Sequence, residues 1–140
     1  KMLRIFITCT LLLLNACSTQ ESAELEAFAD AFTEANQATG VDSMLAIYAL
    51  DGTTESTKNL LKNALLYELG LPIQSIEFEP LTGSPEESIE YSHQGLDYVA
   101  TLEPSLRMRV RYGTEDRFES LFCIGQNGAG QWRIISSRPM

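Results

Sequence analysis

Apolar residues recur at helical spacing through the first half of the chain and at strand spacing through the second. Leu25, Phe28, Ala29, Phe32 and Ala35 lie three or four apart or side by side, with Glu24, Asp30 and Glu34 on other faces. That pattern predicts a helix from about residue 21 to 38. Ser18 with Glu21 has capping-box spacing, Ser22 is a rival cap, and Gly40 supplies the stop. Asp42 is placed to cap a second, short helix through Met44, Leu45, Ile47, Tyr48 and Leu50, broken at Asp51-Gly52. Thr53 or Thr54 then caps a third, running to Leu69. Its apolar stripe is Leu60, Leu61, Ala64, Leu65 and Leu69, with Gly70 just past the end and Pro72 barring continuation.

From residue 76 the period changes to two. Ile76 and Phe78 alternate with Glu77 and Glu79, and Pro80 to Glu87 reads as a loop rich in Gly, Pro and Ser. Leu96, Tyr98, Ala100 and Leu102 alternate in a second strand. Leu106, Met108, Val110 and Tyr112 alternate strictly with Arg107, Arg109 and Arg111, the clearest strand pattern in the chain. Phe118–Ile124 and Trp132–Ser136 follow, joined by the glycine-rich turn 125–130, so the last three strands form an antiparallel meander. Helices first and a meander after predict an α+β domain, with N-terminal helices packed on one sheet face. The expected core sets Trp132, Ile134 and Phe122 against Phe28, Phe32 and the Leu60–Leu65 helix.

The N-terminus follows neither period. Lys1 and Arg4 precede Ile5–Leu14, a run of ten residues that is apolar except at Thr8, Cys9 and Thr10. A spanning helix needs about 20 apolar residues, so this run is too short to cross a bilayer and reads as a signal peptide. Met2 is the better start, and Lys1 is expected to be an artefact of translation or of cloning. Leu14-Asn15-Ala16-Cys17 resembles a bacterial lipobox, departing from it at Asn15, where a small or branched residue is preferred. The resemblance implies cleavage after residue 16, acylation of Cys17 by diacylglycerol and palmitate, and attachment to a lipid bilayer. Ser18 after that cysteine resembles outer-membrane sorting, with the domain in the periplasm. The alternative is a plain secretory signal cut elsewhere. On the lipobox reading, 1–16 is the signal peptide, 17–22 the lipidated tether, and 23–140 a single domain.

Composition sharpens this picture. The 140 residues carry 19 acidic and 10 basic side chains, for a net charge of −9, and losing residues 1–16 would lower it to −11. Nucleic acid is therefore not an expected partner, because phosphate neutralisation needs the opposite charge. Attachment to an anionic membrane surface would have to come from the lipid. With Cys9 removed and Cys17 acylated, Cys123 alone remains, so the domain has no internal disulfide. An unpaired Cys on an apolar strand reads as a small buried hydrophobe. A chain of 124 residues buries enough surface to fold without a cross-link or metal.

The helix at 21–38, the helical pair from Leu45 to Gly70, and the closing Gly130-Gln131-Trp132-Arg133-Ile134-Ile135 resemble the NTF2-like (SnoaL-like, cystatin-like) family. That resemblance implies a cone: helices lying in the hollow of a curved antiparallel sheet. It also implies that the outer sheet face often pairs two copies. Leu121-Phe122-Cys123-Ile124 and Ile134-Ile135 are apolar on both strand faces. This calls for a cover on the outer face: a homodimer interface, a curled sheet edge or an internal pocket.

Catalytic motifs are lacking. His93 is the only histidine, which excludes a His-rich metal site, and no cofactor motif is present. Enzymes of the NTF2-like family place an Asp or His at the mouth of the cone with tyrosines nearby. Asp51, His93 and Asp97 are the residues of the type needed for a base, with Tyr48, Tyr67 and Tyr98 as possible oxyanion donors. More simply, Asp51-Gly52 is a turn, His93 a loop residue, and the tyrosines pack at core spacing. Arg107, Arg109 and Arg111 project from one face. They form either an anion or partner surface, or cross-strand pairs with Glu77, Glu79, Glu119 or Asp116. The expected function is a lipid-anchored, non-catalytic ligand-binding or protein-docking module. The alternatives are an NTF2-like pocket enzyme of isomerase, cyclase or hydratase type, or a purely structural envelope lipoprotein.

Overall fold

In a computed structural model of the chain, the backbone is described for residues 3–140 and side chains from Thr19 onward. Lys1, Met2 and the side chains of Cys9, Cys17 and Ser18 lie outside the described residues. The first helix, α1, runs unbroken over Leu3–Gln37 and does not start at a cap near residue 18 or 22. No Gly or Pro interrupts this stretch. A helix already propagating gains one hydrogen bond for each residue added, which outweighs a serine's preference for a cap. Phe28, Phe32 and Ala35 form its buried stripe.

The second helix, α2, is only Asp42–Leu45, with Val41 at the N-cap and no side-chain cap bond from Asp42. Tyr48–Ala49, expected to be helical, form β1, which pairs in parallel with Ile134 and Ile135. A short apolar run suits helix and strand alike, and here tertiary pairing decides. The third helix, α3, spans Glu55–Leu65, and the Thr54 hydroxyl accepts the Thr57 N–H at 3.1 Å. It ends four residues earlier than expected and passes through turns to Gly70, at φ +82°. Leu61 and Leu65, one turn apart, face the core, whereas Leu60 is 68 % exposed and does not join it. The Gly70 N–H donates to the Asn36 carbonyl and Asn36 Nδ2 donates to the Leu71 carbonyl, tying the end of α1 to the segment after α3.

The strands are β2 Ile73–Pro80, β3 Tyr91–His93, β4 Leu96–Ala100, β5 Leu106–Tyr112, β6 Glu119–Gln126, β7 Trp132–Ile135 and β8 Ser137–Pro139. The larger sheet has the order β1-β7-β6-β5-β2 and is antiparallel apart from β1, and β3-β4-β8 form a smaller one. The expected meander is β5-β6-β7. Besides β1, two strands were not anticipated: β3, which holds the supposed loop residue His93, and β8. Alternation along β5 sends Met108, Val110 and Tyr112 to the core and the three arginines to the outer face. Trp132, Ile134 and Phe122 share one cluster with Phe28, Phe32, Leu61 and Leu65, and the Phe32 and Phe122 rings are 5.7 Å apart. The domain is thus mixed α+β, with helices on one face of a mostly antiparallel sheet.

Part of the outer face is covered by the chain itself. Segment 101–105 crosses it, with the Thr101 N–H on the Ser136 carbonyl and the Ser105 N–H on the Ile124 carbonyl. The Glu103 carbonyl sits over Gly125, where no side chain would fit, and Ile135 is buried. A curled edge therefore accounts for Ile135, while Leu121 further along β6 stays 47 % exposed.

Candidate functional site

Four groups of polar side chains stand out. The first is a charge ladder on the outer face of β2, β5 and β6. Arg109 grips Glu79 through Nε and Nη2 at 2.9 and 3.1 Å and reaches Glu119 at 2.6 Å. Arg111 pairs with Glu77 at 2.8 Å and Glu119 at 3.5 Å. Arg107 approaches Glu79 and Glu87 at 3.9 and 3.8 Å. Asp116 instead accepts from Thr114 within its own turn. The Arg109 hydrogen bonds hold the Glu79 carboxyl below its ordinary range. The arginine charges are thus matched by carboxylates of this chain. Cys123 lies opposite Arg107 in register, free and half-buried, and burial pushes its thiol up.

The second group is the nest around Glu87. The loop 81–84 folds back so that the N–H groups of Thr82, Gly83 and Ser84 and the Thr82 hydroxyl all donate to this buried carboxylate. Those bonds, the Thr82 N–H foremost, lower its pKa. The Ser84–Glu87 capping box starts a 3-10 turn over Pro85–Ser88 in what the sequence suggested was plain loop. The S-x-x-E spacing was the available signal.

The third group is internal. Glu68 is half-buried, accepts a hydrogen bond from Ser120, and feels Tyr48 and Tyr112 nearby. Burial raises its carboxyl above the ordinary range, and raises both tyrosines too. Glu68 was not anticipated, although its place seven residues after Leu61 and three after Leu65 puts it on the inward line of the helix expected to reach Leu69. Of the tyrosines, Tyr48 and Tyr112 are buried, whereas Tyr67 is 83 % exposed and does not pack as expected.

The fourth group lies on the small sheet and gathers most of the anticipated candidates. His93 on β3 and Asp97 on β4 are exposed neighbours. His93 pairs in register with Leu96, and Asp97 with Ser92, so the two side chains leave opposite faces. Asp51 is exposed in the turn before Thr53, whose hydroxyl donates to the Ser137 carbonyl on β8. No hydrogen bond joins any two of these three side chains among the described residues. A cleft of about 370 Å³ opens beside Tyr91, Tyr98, Glu90 and Asp97. Among the described residues no set of three His, Cys, Asp or Glu side chains gathers to hold a metal ion. No described helix is long and apolar enough to cross a membrane.

No protein-family model matches this chain, no curated protein matches its sequence, and no solved structure matches its fold.

Proposed function

We infer that this chain is a lipid-anchored protein of the bacterial cell envelope that acts by docking rather than by catalysis. The observation that carries the reading is the filled space between helices and sheet. Phe32, Met44, Met108, Val110, Tyr112, Ile124 and Ile134 are all essentially without solvent contact there. A pocket enzyme needs an open hollow with converging polar groups. Here the open ground is on the surface, and the conventional base candidates Asp51 and His93 are solvent-exposed, with no side-chain partner to orient them among the described residues. The fold assignment that goes with this reading is NTF2-like, supported by helices on one sheet face and the closing Gly130-Gln131-Trp132 strand. The same reading takes Cys17 as the acylated anchor, the outer membrane as the destination, and the Leu121 region of the outer face as the surface for a homodimer.

Radiolabelled palmitate tests the anchor. The wild-type protein should take up label and stay in the outer-membrane fraction through salt washes, because two or more acyl chains hold stably. Cys17→Ala should lose both. An unlabelled wild-type protein overturns the lipid anchor, and recovery in the inner membrane overturns the sorting alone. Asp51→Asn and His93→Gln should leave a folded, correctly localised protein with its cellular role intact.

One observation favours the enzyme reading: the half-buried Glu68 carboxyl near two buried tyrosines, Tyr48 and Tyr112. If Glu68→Gln folds and localises normally but abolishes the cellular role, catalysis replaces docking.

A further inference from the structure

We propose that residues 66–71, the turns that follow α3, form a strap over the inner face of the sheet that is shut while the Glu68 carboxyl is protonated and loosens when it ionises. Such a device is independent of the lipid anchor and of any partner. The strap has one polar side chain turned inward. Ser120 stands opposite the wholly buried Val110 in register, so it points to the helix side of β6, where its hydroxyl donates to Glu68. Leu69 and Leu71 pack against the core cluster, while Leu66 and Tyr67 stay exposed. Both ends are fixed. Leu65 is buried at one end. At the other, the Gly70 N–H donates to the Asn36 carbonyl at 2.9 Å and the Gly113 N–H donates to the Pro72 carbonyl at 2.7 Å.

What faces Glu68 decides how the strap answers to pH. Tyr48 comes from β1, Tyr112 from β5 and Ser120 from β6. From α1, the neutral Asn36 clasps the strap through its carbonyl and through Nδ2, which donates to the Leu71 carbonyl at 2.9 Å. None of these groups is cationic, and Glu68 makes no ion pair among the described residues. A carboxylate taken out of water needs a positive charge or several donors, and one hydroxyl does not replace its hydration. Burial accordingly raises the Glu68 carboxyl above its ordinary range. Closure is therefore favoured in full in acid and weakens as pH rises through the value of the closed state.

A second observation, independent of titration, points the same way. The Tyr112 hydroxyl and Asn36 Oδ1 are buried without a hydrogen-bond partner, in residues that are each 1 % exposed. Polar atoms left dry and unpaired oppose the arrangement that buries them. Water admitted by a loosened strap would satisfy both and hydrate the Glu68 carboxylate. Against this stands the apolar burial of Leu69 and Leu71. The proton on Glu68 tips that balance.

Hydrogen exchange on the full chain in detergent tests the strap, with rates expressed as protection factors so that the intrinsic pH dependence cancels. The reporting amides are Leu69, bonded to the Leu65 carbonyl, and Gly70, bonded to Asn36; Ile134, bonded to Ile47, is the reference. Protection of Leu69 and Gly70 should fall several-fold from about pH 4.5, near the ordinary glutamate value, to about pH 8, with Ile134 unchanged. Glu68→Gln should keep the acid value throughout. Tyr112→Phe should raise protection at every pH yet keep the fall. Wild-type protection that does not change with pH overturns the proposal, as does the same fall in Glu68→Gln. No gain in Tyr112→Phe overturns the part played by the dry hydroxyl. At about pH 8, tetranitromethane should nitrate Tyr112 faster in wild type than in Glu68→Gln, with the exposed Tyr67 and Tyr91 equal in both. Equal rates at Tyr112 overturn an opening onto the inner face.

Discussion

Replacing Trp132 tests the register of the whole sheet. The ring is 5 % exposed and belongs to the cluster shared by Phe28, Phe32 and Ile134. Cutting a buried Trp back to Ala removes its transfer free energy and leaves a cavity, at a cost of about 3–5 kcal/mol. A domain of this size loses roughly 4 °C of melting temperature per kcal/mol, so Trp132→Ala should melt roughly 12–20 °C lower. The indole Nε1 is buried with no hydrogen-bond partner among the described residues. Leaving a donor unsatisfied in the interior costs about 1–3 kcal/mol. Trp132→Phe removes that penalty while keeping most of the apolar body, and should cost less than half as much as Ala. Circular dichroism melts are the assay, since the variants lack the only tryptophan. Leu60→Ala, on the exposed side of α3, is the control and should change stability by less than about 0.5 kcal/mol. An unchanged melt for Trp132→Ala would put the ring on the surface. A Phe variant as unstable as the Ala variant would refute the account of the orphaned N–H.

Three further outcomes follow from the carboxylates and the covered face. Because burial raises the Glu68 carboxyl, its favourable contribution is full below the unfolded value of about 4.3 and is lost as pH rises through the native value. Glu68→Gln should therefore raise the melting temperature at pH 7 but not at pH 3.5, and a gain independent of pH would contradict this. Glu87 has the opposite sign: its lowered pKa gives stability that is present above the unfolded value and lost as pH falls through the native one. In hydrogen exchange, Glu87→Gln should speed exchange of the Thr82, Gly83 and Ser84 amides at neutral pH, with the difference from wild type shrinking in acid, and equal rates at neutral pH would remove the nest. Gly125→Ala should cost about 1–3 kcal/mol in a denaturant melt, because its Cβ would collide with the Glu103 carbonyl, and a neutral effect would show that segment 101–105 does not lie over β6.

What could be read from the chain was whatever depends on neighbours in sequence. The β5 strand was legible because arginines and apolar residues alternate without a break, and the cap, narrowed to Thr53 or Thr54, because a hydroxyl there directly precedes the helical pattern. What was missed depends on residues far away. β1 exists because Ile47 and Tyr48 meet Ile134 across the sheet, and nothing within residues 42–50 distinguishes that from one more helical turn. Leu60 satisfies an i, i+4 pattern with Ala64, yet the Leu61–Leu65 line is the one that faces the core.

The carboxylates make the same point about the site. Glu68, Glu79, Glu87 and Glu90 belong to one residue type within 23 positions, and each ends in a different electrostatic state. Glu79 is neutralised by the strand opposite, and Glu87 is held by amides of its own loop. Glu68, in the turns after α3, is half-buried with the Ser120 hydroxyl as its partner. Glu90 sits just before the edge strand β3 and makes no ion pair among the described residues. The net charge of −9 therefore misstates what a partner meets. The acids beside β5 are spent on its arginines, whereas Glu21, Glu24, Glu26, Asp30 and Glu34 along α1 make no ion pair among the described residues. Neutralising Glu79 and Glu119 should therefore be felt in the stability of the sheet, while removing two exposed acids of α1 should change the melting temperature little.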